Sequence, residues 1–115
     1  MIITQTEEKH NIQNDVVKFL MDYSDRENVI DSVQLAKRFD IKRIDVRNIV
    51  NKARSEGVPI CSSRHGYYFS IDPADIQKTV NSLSGRVRAM NKAINGISAY
   101  IGNQKYYESL GIRYE

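Results

Sequence analysis

The sequence predicts a mainly α-helical fold with one small β-hairpin, closed by a long C-terminal helix. Three observations carry this reading. Apolar residues recur at helical spacing in three consecutive stretches between Asn11 and Glu56. The period changes after Gly57, where β-branched and aromatic residues flank Arg64-His65-Gly66. From Pro73 a seven-residue apolar repeat then continues to Ile101.

The first helix is expected from about Asn11 to Tyr23, with Ile12, Val16, Phe19 and Leu20 on its apolar face and Val17 and Met21 widening it. Ser24 to Asn28 is polar and reads as a loop. A short second helix starts near Asp31 or Ser32, because either side-chain oxygen can satisfy a free backbone N–H. It carries Val33, Leu35, Ala36 and Phe39. After a tight break at Phe39-Asp40-Ile41, a third helix is expected over Lys42 to Glu56. Its buried stripe is Val46, Ile49, Val50 and Ala53, and Gly57 closes it, accepting a positive φ. Val58 to Arg64 and Gly66 to Ile71 form the hairpin. Asp72-Pro73 opens the last helix, where a proline is tolerated in the first turn.

In that last helix the apolar positions are Ile76, Val80, Leu83, Val87, Met90, Ile94, Ile97 and Ile101, spaced 4, 3, 4, 3, 4, 3 and 4. A strict period of 3.5 is the pattern of a helix–helix seam. Residues 73–101 span roughly 43 Å at about 1.5 Å per residue, more than the preceding domain can cover. A homodimer joined through the seam is one solution. The other is a helix broken near Gly85 or Gly96 that folds back on the first helix. Each glycine costs about 1 kcal/mol relative to alanine inside a helix, but neither falls on the seam. The tail beyond it carries Tyr100, Tyr106, Tyr107, Leu110 and Tyr114, enough for a short extra helix or an aromatic surface for a partner.

The organisation expected is a flexible N-terminus over 1–10, a domain of three helices and the hairpin over 11–71, a long helix with a dimerisation seam over 72–101 and a tyrosine-rich tail over 102–115. The chain of 115 residues is about one domain long. A single cysteine, Cys61, excludes an internal disulfide. His10, His65 and Cys61 are too few and too scattered for a tetrahedral metal site. No apolar run approaches the ~18–20 residues that span a bilayer. The opening residues lack the apolar core of a signal peptide. These features point to a cytoplasmic protein without a cofactor and without a membrane partner.

The net charge of +3 is unevenly spread. Residues 1–30 hold three bases and six acids, 31–71 eight bases and four acids, and 72–115 six bases and four acids. The basic excess therefore lies mostly in the middle, which suits a polyanion.

That middle segment carries a resemblance. Leu35-Ala36-Lys37-Arg38-Phe39-Asp40-Ile41 followed by Val46-Arg47-Asn48-Ile49-Val50 resembles the winged helix-turn-helix pattern. Arg54-Ser55-Glu56-Gly57-Val58-Pro59-Ile60 and Gly66-Tyr67-Tyr68-Phe69 are similar to the wing of biotin-repressor-like proteins, and closer to small phage-type helix-turn-helix proteins. The sequence departs from the pattern where Asp40 replaces the usual turn glycine and Lys42 the usual Ser or Thr cap. The resemblance implies a third helix in the major groove of double-stranded DNA. Its outward face comprises Lys42, Arg43, Ile44, Arg47, Asn48, Asn51 and Lys52, and Arg64 and His65 sit at the wing tip. Arg47 suits guanine, Asn48 or Asn51 suits adenine, and Ile44 suits a thymine methyl. Asp45 favours the helix N-terminus but opposes a nearby phosphate.

The expected function is that of a sequence-specific, dimeric, phage-type transcriptional regulator or a DNA-organising or replication accessory protein. The competing class is a phage protein that docks on a host protein and inhibits an enzyme or defence complex, an anti-CRISPR protein being one form. His65 beside Ser62 and Ser63 lacks an acid to orient it, so no enzyme is expected.

Overall fold

The structure of the protein is a computed structural model that describes residues 5–111, with side chains over 12–106 and 108–111. Its elements run α1 (Gln5–Tyr23), α2 (Ser32–Phe39), α3 (Arg43–Ser55), β1 (Ile60–Ser63), β2 (Gly66–Phe69), α4 (Pro73–Gly102) and α5 (Gln104–Ser109). This is a winged helix-turn-helix followed by a long helix. The chain divides into two compact units, one ending at Thr79 and the other starting at Val80.

Helix α1 starts at Gln5, six residues before the expected Asn11. The added turns contain Glu7 and Glu8, residue types with good helix propensity. α2 is capped as a reciprocal pair: Gln34 N–H donates to Asp31 Oδ1 at 2.8 Å and Asp31 N–H donates to Gln34 Oε1 at 3.0 Å. Asp31, rather than Ser32, is therefore the cap. The third helix and the strands come out shorter at their ends than the sequence suggests, as fraying ends commonly do.

The core of the first unit is drawn from α1, α2, α3 and the first strand of the wing. Val16 and Leu20 of α1, Leu35 and Ala36 of α2, Val46, Val50 and Ala53 of α3, and Ile60 of β1 are buried together. Phe19, Phe39, Ile41, Ile49 and Tyr67 pack against them half-buried. Burying each large aliphatic side chain contributes ~1.5–3 kcal/mol, so the helical stripes hold the domain. Phe19 meets Phe39 edge-on at 5.7 Å between ring centroids, tying α1 to α2.

β1 and β2 are antiparallel, with Ile60 opposite Phe69, Cys61 opposite Tyr68 and Ser63 opposite Gly66. Ile30, ahead of α2, bridges to β2 from a third segment: it exchanges both backbone hydrogen bonds with Tyr67 at 2.9 Å. Alternation puts Ile60 and Tyr67 on the core side and Cys61 and Tyr68 on the other. That second face is covered by the first turns of α4. Ser62 N–H donates to Thr79 Oγ1 at 3.2 Å, and Ser70 Oγ donates to Asp75 Oδ2 at 2.8 Å. Cys61 is only 1% exposed for this reason.

α4 runs unbroken for 30 residues through Gly85 and Gly96, which overturns the folded-back alternative. A glycine weakens a helix, but it removes no hydrogen bond and meets no clash, unlike proline. In the second unit Asn103 N–H donates to Tyr100 O at 3.1 Å, closing α4 before the short α5. Of the tail residues, Tyr114 and the Tyr107 side chain lie outside the described residues. Among the described residues no helix is long and apolar enough to cross a membrane.

Candidate nucleic-acid interface

The turn between α2 and α3 sets the direction of α3. Asp40 adopts the left-handed conformation at φ 52° and ψ 51°, and its N–H donates to the Ala36 carbonyl. Ile41 N–H donates to the same oxygen at 3.0 Å. Aspartate pays less than most residues for that conformation because its short side chain tolerates it. The Lys42 side chain caps nothing. The other half of a capping box is present instead, Lys42 N–H donating to Asp45 Oδ2 at 3.0 Å. Asp45 thus anchors the helix start, which accounts for an acid on a cationic face.

Lys42, Arg43, Ile44, Arg47, Asn48, Asn51 and Lys52 are all exposed. Ile44, Arg47, Asn48 and Asn51 stand at i, i+3, i+4 and i+7 and so form one ridge along α3. Val46, Val50 and Ala53 are buried on the opposite side and hold the ridge outward. Arg43 Nε donates to Ser32 Oγ at 3.2 Å, linking the starts of α3 and α2. Among the described residues, the side chains of Lys42, Arg47, Asn48, Asn51 and Lys52 have no hydrogen-bond or ion-pair partner within the chain.

The wing tip is the two-residue turn Arg64-His65, both exposed. Arg64 Nε donates to His65 Nε2 at 3.2 Å, and His65 N–H donates to Ser63 Oγ at 3.1 Å. Nothing here resembles a nucleophile with its base. Ser62 accepts from Arg54, and His65 is faced by a cation rather than an acid.

The eight bases of residues 31–71 divide into two kinds. Arg54 Nε donates to the Ile60 carbonyl at 2.8 Å and its Nη2 donates to Ser62 Oγ at 3.2 Å. Its guanidinium also stands 5.8 Å from the Tyr67 ring centroid. Arg54 is a strut between α3 and the wing. Arg38 lies over the Phe19 ring at 4.3 Å. Charge counting treated these two like the rest. Only the fold separates the structural arginines from the outward ones.

Sequence reasoning also missed what seats the wing. Asp75 and Thr79 are buried, at 6% exposure each, on the start of a helix read only for its seam. Asp75 accepts from Ser70 and faces Arg26 Nε at 3.8 Å. A polar pair at i, i+4 beside the apolar stripe was the available signal. Burial raises the Cys61 thiol above its ordinary value and does the same to the Tyr68 phenol, with the Asp75 carboxylate adding to both.

Along α4, Val80, Val87, Met90, Ile94, Ile97 and Ile101 are between 46% and 73% exposed, while Ile76 and Leu83 are partly buried. Among the described residues no cluster of metal-ligating side chains is present.

No protein-family model matches the chain, and no curated protein sequence is significantly similar to it. Among solved structures, it is similar to a GntR family transcriptional regulator from Listeria monocytogenes, with 15% sequence identity and a TM-score of 0.40 over 96% of this chain and 93% of that one. At that level the likeness carries no weight about function.

Proposed function

We propose that the chain is a sequence-specific double-stranded DNA-binding protein, a dimeric, phage-type regulator of transcription or an accessory protein of DNA organisation or replication. It acts in the cytoplasm of a bacterial host. The observation that carries this is the unpartnered ridge of α3. Cations and amides that satisfy nothing inside the chain are held outward by a buried aliphatic face. In the major groove, Arg47 reads guanine by a bidentate contact, Asn48 or Asn51 reads adenine, and Ile44 touches a thymine methyl. Lys42, Arg43 and Lys52 hold phosphates, and Arg64 and His65 of the wing contact the adjacent backbone or minor groove.

The dimer part of the reading is supported by the exposed stripe of α4. A monomer rarely leaves a continuous apolar stripe in water. Two copies then address two half-sites related by a dyad.

The same stripe favours one second reading, a phage protein that docks on a host enzyme or defence complex. Duplex binding separates the two. Fluorescence anisotropy with genomic duplexes is expected to give an affinity that falls steeply with salt, at a log–log slope of about −0.9 per phosphate contact. Absence of duplex binding even at low salt removes the DNA reading and leaves the docking one.

A further inference from the structure

We infer that α4 pairs with α4 of a second copy of this chain as a parallel, in-register coiled coil over Val80 to Ile101. This rests on the dimer proposed above and adds the orientation, which the repeat alone leaves open.

Side-chain shape differs between the two kinds of layer in the seam. With Val80 as an a position, the a positions are Val80, Val87, Ile94 and Ile101, and the d positions between them are Leu83, Met90 and Ile97. Every a position is β-branched, whereas of the three d positions only Ile97 is. In parallel two-stranded coils an a side chain enters its hole with the Cα–Cβ bond parallel to the hole, which suits β-branching, whereas the d layer suits leucine. An antiparallel pair mixes a with d in each layer and gives this segregation no purpose.

The charges of α4 also favour a second copy. α4 carries Lys78, Arg86, Arg88 and Lys92 and no acid after Asp75. Lys78 and Lys92 fall at f positions and Arg88 at a b position, all away from the seam. Only Arg86 flanks it, at a g position, and in a parallel in-register pair it meets Asn91 of the other copy, an amide that can accept its hydrogen bond. Two like-charged helices can therefore approach without opposed charges. A heterologous acidic helix would find no cationic row beside the apolar face to recognise. The occupant that fits is a second copy.

The orientation has a consequence for DNA. The winged domain precedes α4 in the chain, so parallel pairing joins two such domains at the same end of the coil. Antiparallel pairing separates them by the length of the helix.

The test is cross-linking of the full chain under mild oxidation, with light scattering on the unmodified protein. Native Cys61 is buried and serves as the unreactive control. With Ile97→Cys alone, most of the chain is expected to convert to a disulfide-linked dimer, and Val80→Cys alone is expected to do the same near the other end. Mixing the two variants is expected to give few mixed dimers with a 97-to-80 linkage. A dominant 97-to-80 linkage, with neither variant linking to itself, overturns the parallel arrangement while leaving the dimer standing. A wild-type chain that scatters as a monomer at micromolar concentration overturns the dimer, and this inference with it. Both positions are exposed, so circular dichroism is expected to show unchanged helix content.

Discussion

Gly66 lies against the backbone of Ile30 so closely that a β-carbon on it would stand 2.7 Å from the Ile30 carbonyl carbon and 2.8 Å from its oxygen. The two residues sit at the rung where Ile30 exchanges hydrogen bonds with Tyr67, which joins the wing to the strand-like segment before α2. Gly66 also holds φ at 152°. The wing is therefore docked through a backbone contact that admits no side chain. Gly66→Ala is expected to lower stability by roughly 2–4 kcal/mol through strain and displacement of that rung. Urea unfolding measures it, and a loss below about 1 kcal/mol would show that the wing shifts freely.

Asp40 holds a left-handed conformation in the turn before α3. Asp40→Gly is expected to raise stability by about 0.5–1 kcal/mol, relief of strain outweighing the extra freedom of the unfolded chain. Asp40→Val is expected to lower it by about 1–2 kcal/mol, since a β-branched side chain fits that conformation poorly. If the two variants unfold at the same denaturant concentration, the turn conformation is not what limits the domain.

Arg54 and Lys52 stand two residues apart on α3 and are expected to behave oppositely. Arg54→Ala removes a buried-side strut and is expected to cost about 1.5–3 kcal/mol of stability, the range for hydrogen bonds to charged groups. Lys52→Ala is expected to leave unfolding unchanged within about 0.5 kcal/mol. In duplex binding it should weaken all sequences alike and reduce the salt slope by about one contact. Thermal unfolding and salt titrations of both variants check the pair together.

Arg47→Ala and Asn48→Ala are expected to relax base preference, each by about 1–3 kcal/mol of discrimination at one position. Binding-site selection from random duplexes reads this out. Retention of the wild-type preference in both variants would move the reading residues off this ridge.

The wing is expected to contribute to the alkaline side of the stability profile. Burial favours the neutral forms of Cys61 and Tyr68, raising them above ordinary values of 9.0 and 10.0. Above pH 9 the unfolded chain therefore releases protons that the folded chain keeps, so stability falls as pH rises. The contribution is fully present below pH 9 and is lost as pH passes through the raised folded values. Denaturant midpoints from pH 7 to 11 are expected to decline on this limb. Tyr68→Phe should flatten the upper part, and an unchanged decline in that variant would place its cause elsewhere.

Much of this molecule is legible from local pattern. The period-3.6 stripes of Val16/Leu20, Leu35/Ala36 and Val46/Val50/Ala53 identify three helices and their inward faces, because a helix buries residues by angle and angle is read directly from spacing. The outward ridge of α3 follows from the same arithmetic, as does the continuous apolar repeat on α4. Other features leave no periodic trace. The strut made by Arg54 and the stacking of Arg38 on Phe19 depend on which neighbour the fold brings near, and an arginine reads the same in either role. The sealing of Cys61 and Tyr68 under Asp75 and Thr79 is likewise a contact between segments: the polar pair one turn apart is visible in the sequence, but the strands it covers are not.

The sequence by itself determined the order of elements, the core-facing stripe of each helix and the set of side chains that α3 turns outward, since each is a matter of spacing along one segment. Tertiary structure alone decided which of the eight central bases holds the wing, why Gly66 has to be glycine and why Cys61 and Tyr68 are buried on the hairpin's second face. Those outcomes rest on distances between residues far apart in the chain, and such distances exist only once the segments have packed.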